Sequence, residues 1–188
     1  MSDKVKFNLK NAHYALETVT TTGAYSYATP VAIPGAVSLS LSPRGEAYTF
    51  YADGMEYFRD VANNGYEGDL EAALIPEAFR KDILGDIEDT NHNLIESADA
   101  ETKYFALGFQ FDGDDTGSLY WLYHCTAARP EVASQTNKES KEVQTETLSI
   151  TSSPRADGYV RIKSTDETST AARAAWFGSV AQPAVTTG

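Results

Sequence analysis

The sequence predicts a mainly β protein with one flanking α-helix, on three observations. Apolar residues recur at alternate positions through most of the chain, the period of a half-buried strand. An Asp-Gly pair, Asp53-Gly54, sits between two aromatic runs, the strongest short-range hairpin signal. Only the stretch from Pro76 to Gly85 carries convincing helix start and stop signals.

The elements follow in order. Val5, Phe7 and Leu9 alternate with Lys4, Lys6, Asn8 and Lys10, giving one apolar and one basic face. A Thr- and Ala-rich passage over 18–35, with Pro30 and Pro34, reads as a long loop. In GAVSLSLSPRG, Val37, Leu39 and Leu41 alternate with Ser38, Ser40 and Ser42. AYTFYADGMEYF then forms the hairpin, and Asn63-Asn64-Gly65 supplies a second turn. YEGDLEAAL places Glu67, Asp69 and Glu71 on one face and Leu70, Ala72 and Leu74 on the other.

The helix, about 76–84, has Pro76 in its first turn, Glu77 behind it and Gly85 to close it. Its apolar stripe is Phe79, Ile83 and Leu84. A helix this short depends on packing. Next, YFALGFQF alternates Phe105, Leu107, Phe109 and Phe111, the DGDDTGS turn follows, and LYWLYHC returns beside it. KEVQTETLSITS and GYVRIKS read as two more strands. The tail holds a short helix around Ala171 to Phe177, anchored by Trp176 and Phe177. The plan is seven to nine strands, with termini that do not join the compact body, and no internal repeat or heptad pattern.

With 188 residues the chain suits one domain over 1–160 and a C-terminal arm over 161–188. The net charge of −12 argues against gripping nucleic acid, because duplex affinity comes from Lys and Arg displacing counterions. Such a surface keeps a protein soluble and lets DNA pass without sticking. One cysteine, Cys125, allows no intramolecular disulfide and fits a reducing cytosol. The start, MSDKVKFNLKN, lacks the apolar core of a signal peptide, and no apolar run approaches the ~18 residues of a membrane helix. The expectation is a soluble protein made in the cytoplasm, without a cleaved leader and without membrane contact.

No catalytic constellation stands out: there is no phosphate-cradling glycine loop, HExxH, GxSxG or CxxC. His13, His92 and His124 lie far apart, and His124 and Cys125, adjacent on a strand, point to opposite faces. Asp112-Gly-Asp114-Asp-Thr116-Gly117 matches the first half of a calcium loop. Tyr123 then stands where the bidentate Glu belongs, so a tight turn is the better reading. Glu67, Asp69 and Glu71 have the ~7 Å spacing of paired glycosidase carboxylates. Glycosidases hold theirs across a cleft, and three in a row read as a charged strand face. The expectation is a protein that is not an enzyme and uses no cofactor or metal.

Several stretches together resemble the major tail (tail tube) protein of long-tailed, siphovirus-type bacteriophages. They are FNLKNAHYAL, AIPGAVSLSLSPRGEAYTFYADGMEYF, NNGYEGDLEAALIPEAFRKDILG, FALGFQFDGD, LYHCTAARPEV and KEVQTETLSITSSP, covering about 5–155. Beyond that the likeness is loose. The resemblance implies a β-sandwich with barrel-forming sheets and a flanking helix, like the tube protein of type VI secretion. It also implies hexameric rings that stack into a tube. That tube encloses the tape measure protein, meets tail terminator and tail-tip proteins, and conducts DNA during ejection without binding it. The place implied is the virion tail, assembled in the host cytoplasm.

In this setting the segment about 42–65 corresponds to the loop that reaches toward the next ring. Its Tyr48, Phe50, Tyr51, Tyr57 and Phe58 are candidates for ring stacking. Glu67, Asp69 and Glu71, with Ser38 and Ser40 on the neighbouring strand, are candidates for lining the lumen. The N-terminal arm, loop 18–35 and the C-terminal tail are candidates for ordering on assembly. Three rivals stand beside this reading. One is the tube subunit of a secretion or contractile device. The second is a monomeric β-sandwich binding a carbohydrate or calcium through Trp121 and the DGDD turn. The third, a hydrolase built on the acidic strand, lacks partner residues.

Overall fold

The structure, a computed structural model, describes residues 7–113, 117–134 and 143–184. Along the chain run β1 (Phe7–Val19), β2 (Tyr25–Tyr27), β3 (Val31–Ala32), β4 (Ala36–Pro43), β5 (Ala47–Ala52), β6 (Met55–Val61) and β7 (Tyr66–Ala72). α1 (Glu77–Phe79) passes directly into a π-helical turn (Arg80–Leu84). Then come β8 (Ile87–Glu88), β9 (Leu94–Ile95), β10 (Phe105–Asp112), β11 (Ser118–Ala127), β12 (Glu146–Ser152), β13 (Arg161–Lys163) and α2 (Thr170–Ala174). The protein is mainly β, as the alternation predicts.

One antiparallel sheet dominates, in the order β2-β1-β10-β11-β12-β7-β4, with β3 also on β1 and β13 also on β11. β11 forks. Its first half pairs with β13 through Tyr120 to Leu122, and its second half pairs with β12 from Cys125 to Ala127. The fork sits at His124, whose φ of 49° forms a bulge between the Phe105 and Leu107 pairings with β10.

Two cores lie on the two faces of this sheet. The first gathers Tyr14, Leu70, Phe105, Leu107, Leu148 and Ile150 beneath the helical segment, which contributes Phe79, Ile83 and Leu84. These three are the predicted stripe, and all are buried. Pro76 precedes the helix and Gly85 closes it in the left-handed region, at φ 81°. Half of the predicted helix is wound as a π turn, with the Gly85 N–H reaching Arg80 O.

The second core brings Ala15, Ala106, Trp121 and Tyr123 against Trp176 and Val180. The C-terminal segment to residue 184 therefore packs on the sheet, contrary to the expected loose end. Trp121 Nε1 donates to the Trp176 carbonyl at 2.9 Å, and Ser169 caps α2 by accepting from the Ala172 N–H at 3.2 Å. The tail helix is shorter than expected and ends before Trp176, which is still the anchor.

Other expectations are corrected here. The strand count exceeds the predicted seven to nine, since short β2, β3, β8 and β9 fall in stretches read as connections. Segment 18–35 is no open loop: β2 and β3 both fold back onto β1. Strict alternation at the N-terminus is broken by Asn8 and Asn11, at φ 52° and 50°, each beside a register shift. Asn tolerates this conformation better than most residues. Val5 lies outside the described residues. Val37 is 55% exposed, because a bulge between Ala36 and Ser38 turns it away from the face that Leu39 and Leu41 share.

Candidate functional site

Two surfaces carry the sequence-predicted residues. The first is the outer face of β7. Its inward residues Leu70 and Ala72 are buried in the first core, which sends Glu67, Asp69 and Glu71 to the opposite side. β7 lies between β4 and β12. Register pairs Ser38, Ser40 and Ser42 with Glu71, Asp69 and Glu67, and on the other flank Thr147, Ser149 and Thr151 with the same three. The acids thus form a central row between two rows of hydroxyls.

Hydrogen bonds hold this row. Thr145 Oγ1 donates to Glu71 Oε1 at 2.6 Å and Ser38 Oγ to Oε2 at 2.9 Å; Ser149 Oγ donates to Asp69 Oδ1 at 2.6 Å. Arg44 lies 3.5 Å from Glu67 at one end. The Thr145 and Ser38 hydroxyls hold the Glu71 carboxyl below its ordinary value. A carboxyl depressed in the folded state contributes stability above its unfolded pKa and loses it as pH falls through the folded pKa. An NMR titration is expected to find Glu71 still ionised where ordinary glutamates have protonated. Thr145→Val should move its midpoint up, whereas an unchanged midpoint would remove that hydrogen bond as the cause.

The second surface is the β5–β6 hairpin, whose two strands pair, among the described residues, only with each other. Asp53 and Gly54 both take positive φ, 52° and 75°, the type I′ geometry that an Asp-Gly turn favours. Its ladder continues that of β4 and β7: Arg44 N–H reaches Gly65 O at 2.8 Å and Ala62 N–H reaches Glu46 O at 3.2 Å. β4 to β7 are thus one long hairpin, whose base lies in the sheet and whose outer half stands free. From Ala47 to Asp53 the chain advances ~20 Å. Tyr48, Phe50, Tyr51, Tyr57 and Phe58 are between 48% and 77% exposed, and Met55 is 71% exposed. None of these side chains belongs to either buried core.

A third arrangement escaped sequence reasoning. The Glu17 side chain is 1% exposed, with His124 Nδ1 at 2.7 Å from one oxygen and the Tyr27 hydroxyl donating to the other at 2.9 Å. Tyr104 stacks on His124 at 3.9 Å. Arg155, buried over the Tyr25 and Tyr123 rings, bonds Asp157 and, at 2.9 Å, Gln182. Burial pushes the Tyr27 hydroxyl pKa up. Both Glu17 oxygens are occupied, and the cluster ties β1, β2, β11 and the C-terminal segment together. An acid at an inward position of an apolar strand was its one local signal.

Remaining candidates are placed as follows. Cys125 is buried, and desolvation pushes its thiol up to about 12. Asp112 pairs with Lys10 at 2.7 Å and accepts from Asn8 at 3.0 Å, while residues 114–116 of the DGDD turn lie outside the described residues. Among the described residues no group of three His, Cys, Asp or Glu is arranged to hold a metal ion. Trp121, the ligand platform of the binding-module alternative, is fully buried and cannot present its ring. No helix of the described residues is long and apolar enough to cross a membrane. A scan against family models and a search of curated proteins return no match.

Proposed function

We propose that this protein is the structural subunit of a hollow tube, a phage-type tail tube in which hexameric rings stack and conduct DNA. The observation that carries the reading is the free-standing hairpin. Its aromatic side chains face solvent, and a monomer with such an edge is prone to aggregate unless the surface has a partner. A repeating assembly supplies that partner from a neighbouring copy.

The acidic row supports the same reading. Turned to the lumen, six copies of Glu67, Asp69 and Glu71 place about 18 carboxylates in each ring, a field that repels DNA phosphates. The flanking hydroxyls of Ser38 and Ser40 offer phosphate no cation. The mechanism is mechanical and electrostatic: the wall encloses the tape measure protein, then gives DNA a path without a foothold. The tube of a secretion or contractile device would use the same two surfaces.

The test is the triple variant Glu67→Lys, Asp69→Lys, Glu71→Lys in an infectious particle. Rings and tubes are expected to form, since the row is on an outer face, while DNA ejection slows. Ejection at the normal rate would refute the lumen assignment.

A further inference from the structure

The Glu17 carboxylate sits at an inward position of β1, with its side chain 1% exposed. A carboxylate buried this deeply needs a cation, or several donors, to offset its lost hydration. Among the described residues the one basic side chain paired with it is His124, whose Nδ1 lies 2.7 Å from one oxygen. The bulge at His124, with φ 49°, re-aims that ring toward β1. The Tyr27 hydroxyl donates to the other oxygen at 2.9 Å. Arg155 reaches only this hydroxyl, at 3.5 Å, and its own charge is met by both carboxylate oxygens of Asp157. The remaining neighbours bring no charge. Tyr104 stacks on the imidazole at 3.9 Å and Tyr25 meets it edge-on at 6.3 Å, surroundings that suit a cation. Burial pushes the Cys125 thiol up to about 12, so it stays neutral.

The pair is tied to the C-terminal segment through Tyr27. That ring stacks on Tyr123 at 6.0 Å, and the Tyr123 hydroxyl donates to the Ala181 carbonyl. Arg155, beneath the same hydroxyl, donates to Gln182 Oε1 at 2.9 Å. We infer that the proton on His124 is a lock on this segment: with the imidazole charged, residues 176–182 stay seated on the second core, and with it neutral they are released. The inference is independent of the tube reading. The ion pair exists only while the imidazole carries its proton and Glu17 does not. The lock is therefore closed on the acid side of the His124 titration and opens as pH rises through it, because a buried carboxylate without its cation draws in water. Histidine ordinarily changes charge between pH ~5 and ~8. One proton is exchanged, so the opening equilibrium rises by up to about tenfold per pH unit.

His13 also meets this segment, stacking on Phe177 at 4.8 Å, but its Nδ1 partner is the Asn11 carbonyl and not a carboxylate. The test is hydrogen exchange of the 176–182 amides in the full chain between pH ~5.5 and ~8, each rate divided by its intrinsic value. NMR titration of the same sample gives the His13 and His124 midpoints. Protection is expected to fall with rising pH by up to about tenfold per unit, with its midpoint at that of His124. The β10 amides should keep theirs. Glu17→Gln and His124→Asn should each flatten the profile, and His13→Asn should leave its slope. Asn suits position 124 because it tolerates positive φ. A flat wild-type profile, a midpoint that follows His13, or an equal loss of protection in β10 overturns the inference. So does a slope that survives in folded Glu17→Gln or His124→Asn, or one that vanishes in His13→Asn. Should neither lock variant fold, the wild-type midpoints decide alone.

Discussion

Replacing Tyr48, Phe50, Tyr57 and Phe58 together by threonine is expected to abolish self-assembly while leaving a folded monomer. Threonine retains strand propensity, so the hairpin keeps its backbone and loses its apolar surface. The four side chains touch neither core, and exposed substitutions of this kind usually shift stability within about 0.5 kcal/mol each. The thermal midpoint should therefore fall by no more than about 8 °C. The loss in assembly is larger. Covering the five aromatic rings of the hairpin hides on the order of 500 Å², much of the ~800 Å² per partner of a standard interface. At about 25 cal/mol per Å² that is ~12 kcal/mol gross, against an association cost of ~4–15 kcal/mol. A single contact is therefore near balance, and removing four of its five aromatic rings tips it against association. The same balance makes an isolated pair weak and a stack of rings, joined by several such contacts at once, strong, which supplies a threshold for growth. Sedimentation checks the result; tubes formed by the quadruple variant at the wild-type concentration would remove the hairpin from the interface.

The largest effect on stability is expected at Phe79. Its ring is fully buried and meets Tyr14 edge-on at 5.0 Å and Phe105 at 5.3 Å, joining the helical segment to β1 and β10. Phe79→Ala should cost about 3–5 kcal/mol, through lost transfer energy and the cavity left behind. That is a large share of the ~5–15 kcal/mol by which a domain is stable. Phe79→Leu keeps most of the volume and should cost about 1.5 kcal/mol or less. Urea unfolding of both variants measures the difference. A loss below about 1 kcal/mol for the alanine variant would mean that the helical segment is not integral to the first core.

Both surfaces could be read from the sequence because their signals are local. Asp53-Gly54 dictates a turn by its own backbone preference, and the positive φ of both residues follows from it. The acidic row follows from period-two alternation around Leu70 and Ala72, which the core holds inward. The stripe of Phe79, Ile83 and Leu84 needed only helical spacing and two end signals. What stayed hidden depends on distant partners. The bulges at Asn8, Asn11 and His124 shift register where neighbouring strands demand it, and Val37 turns outward for the same reason. The Glu17–His124 contact joins residues 107 positions apart. The C-terminal segment looked loose because its small residues carry no periodicity, yet Trp176 and Val180 pack in the buried cluster that holds Trp121.

The central claim is that this chain builds a hollow tube. Negative-stain electron microscopy of the purified protein across a concentration series tests it most directly. The expected result is rings with a central hole at intermediate concentration and stacked tubes above it, each ring containing six copies. Small single particles of monomer mass at every concentration would contradict it.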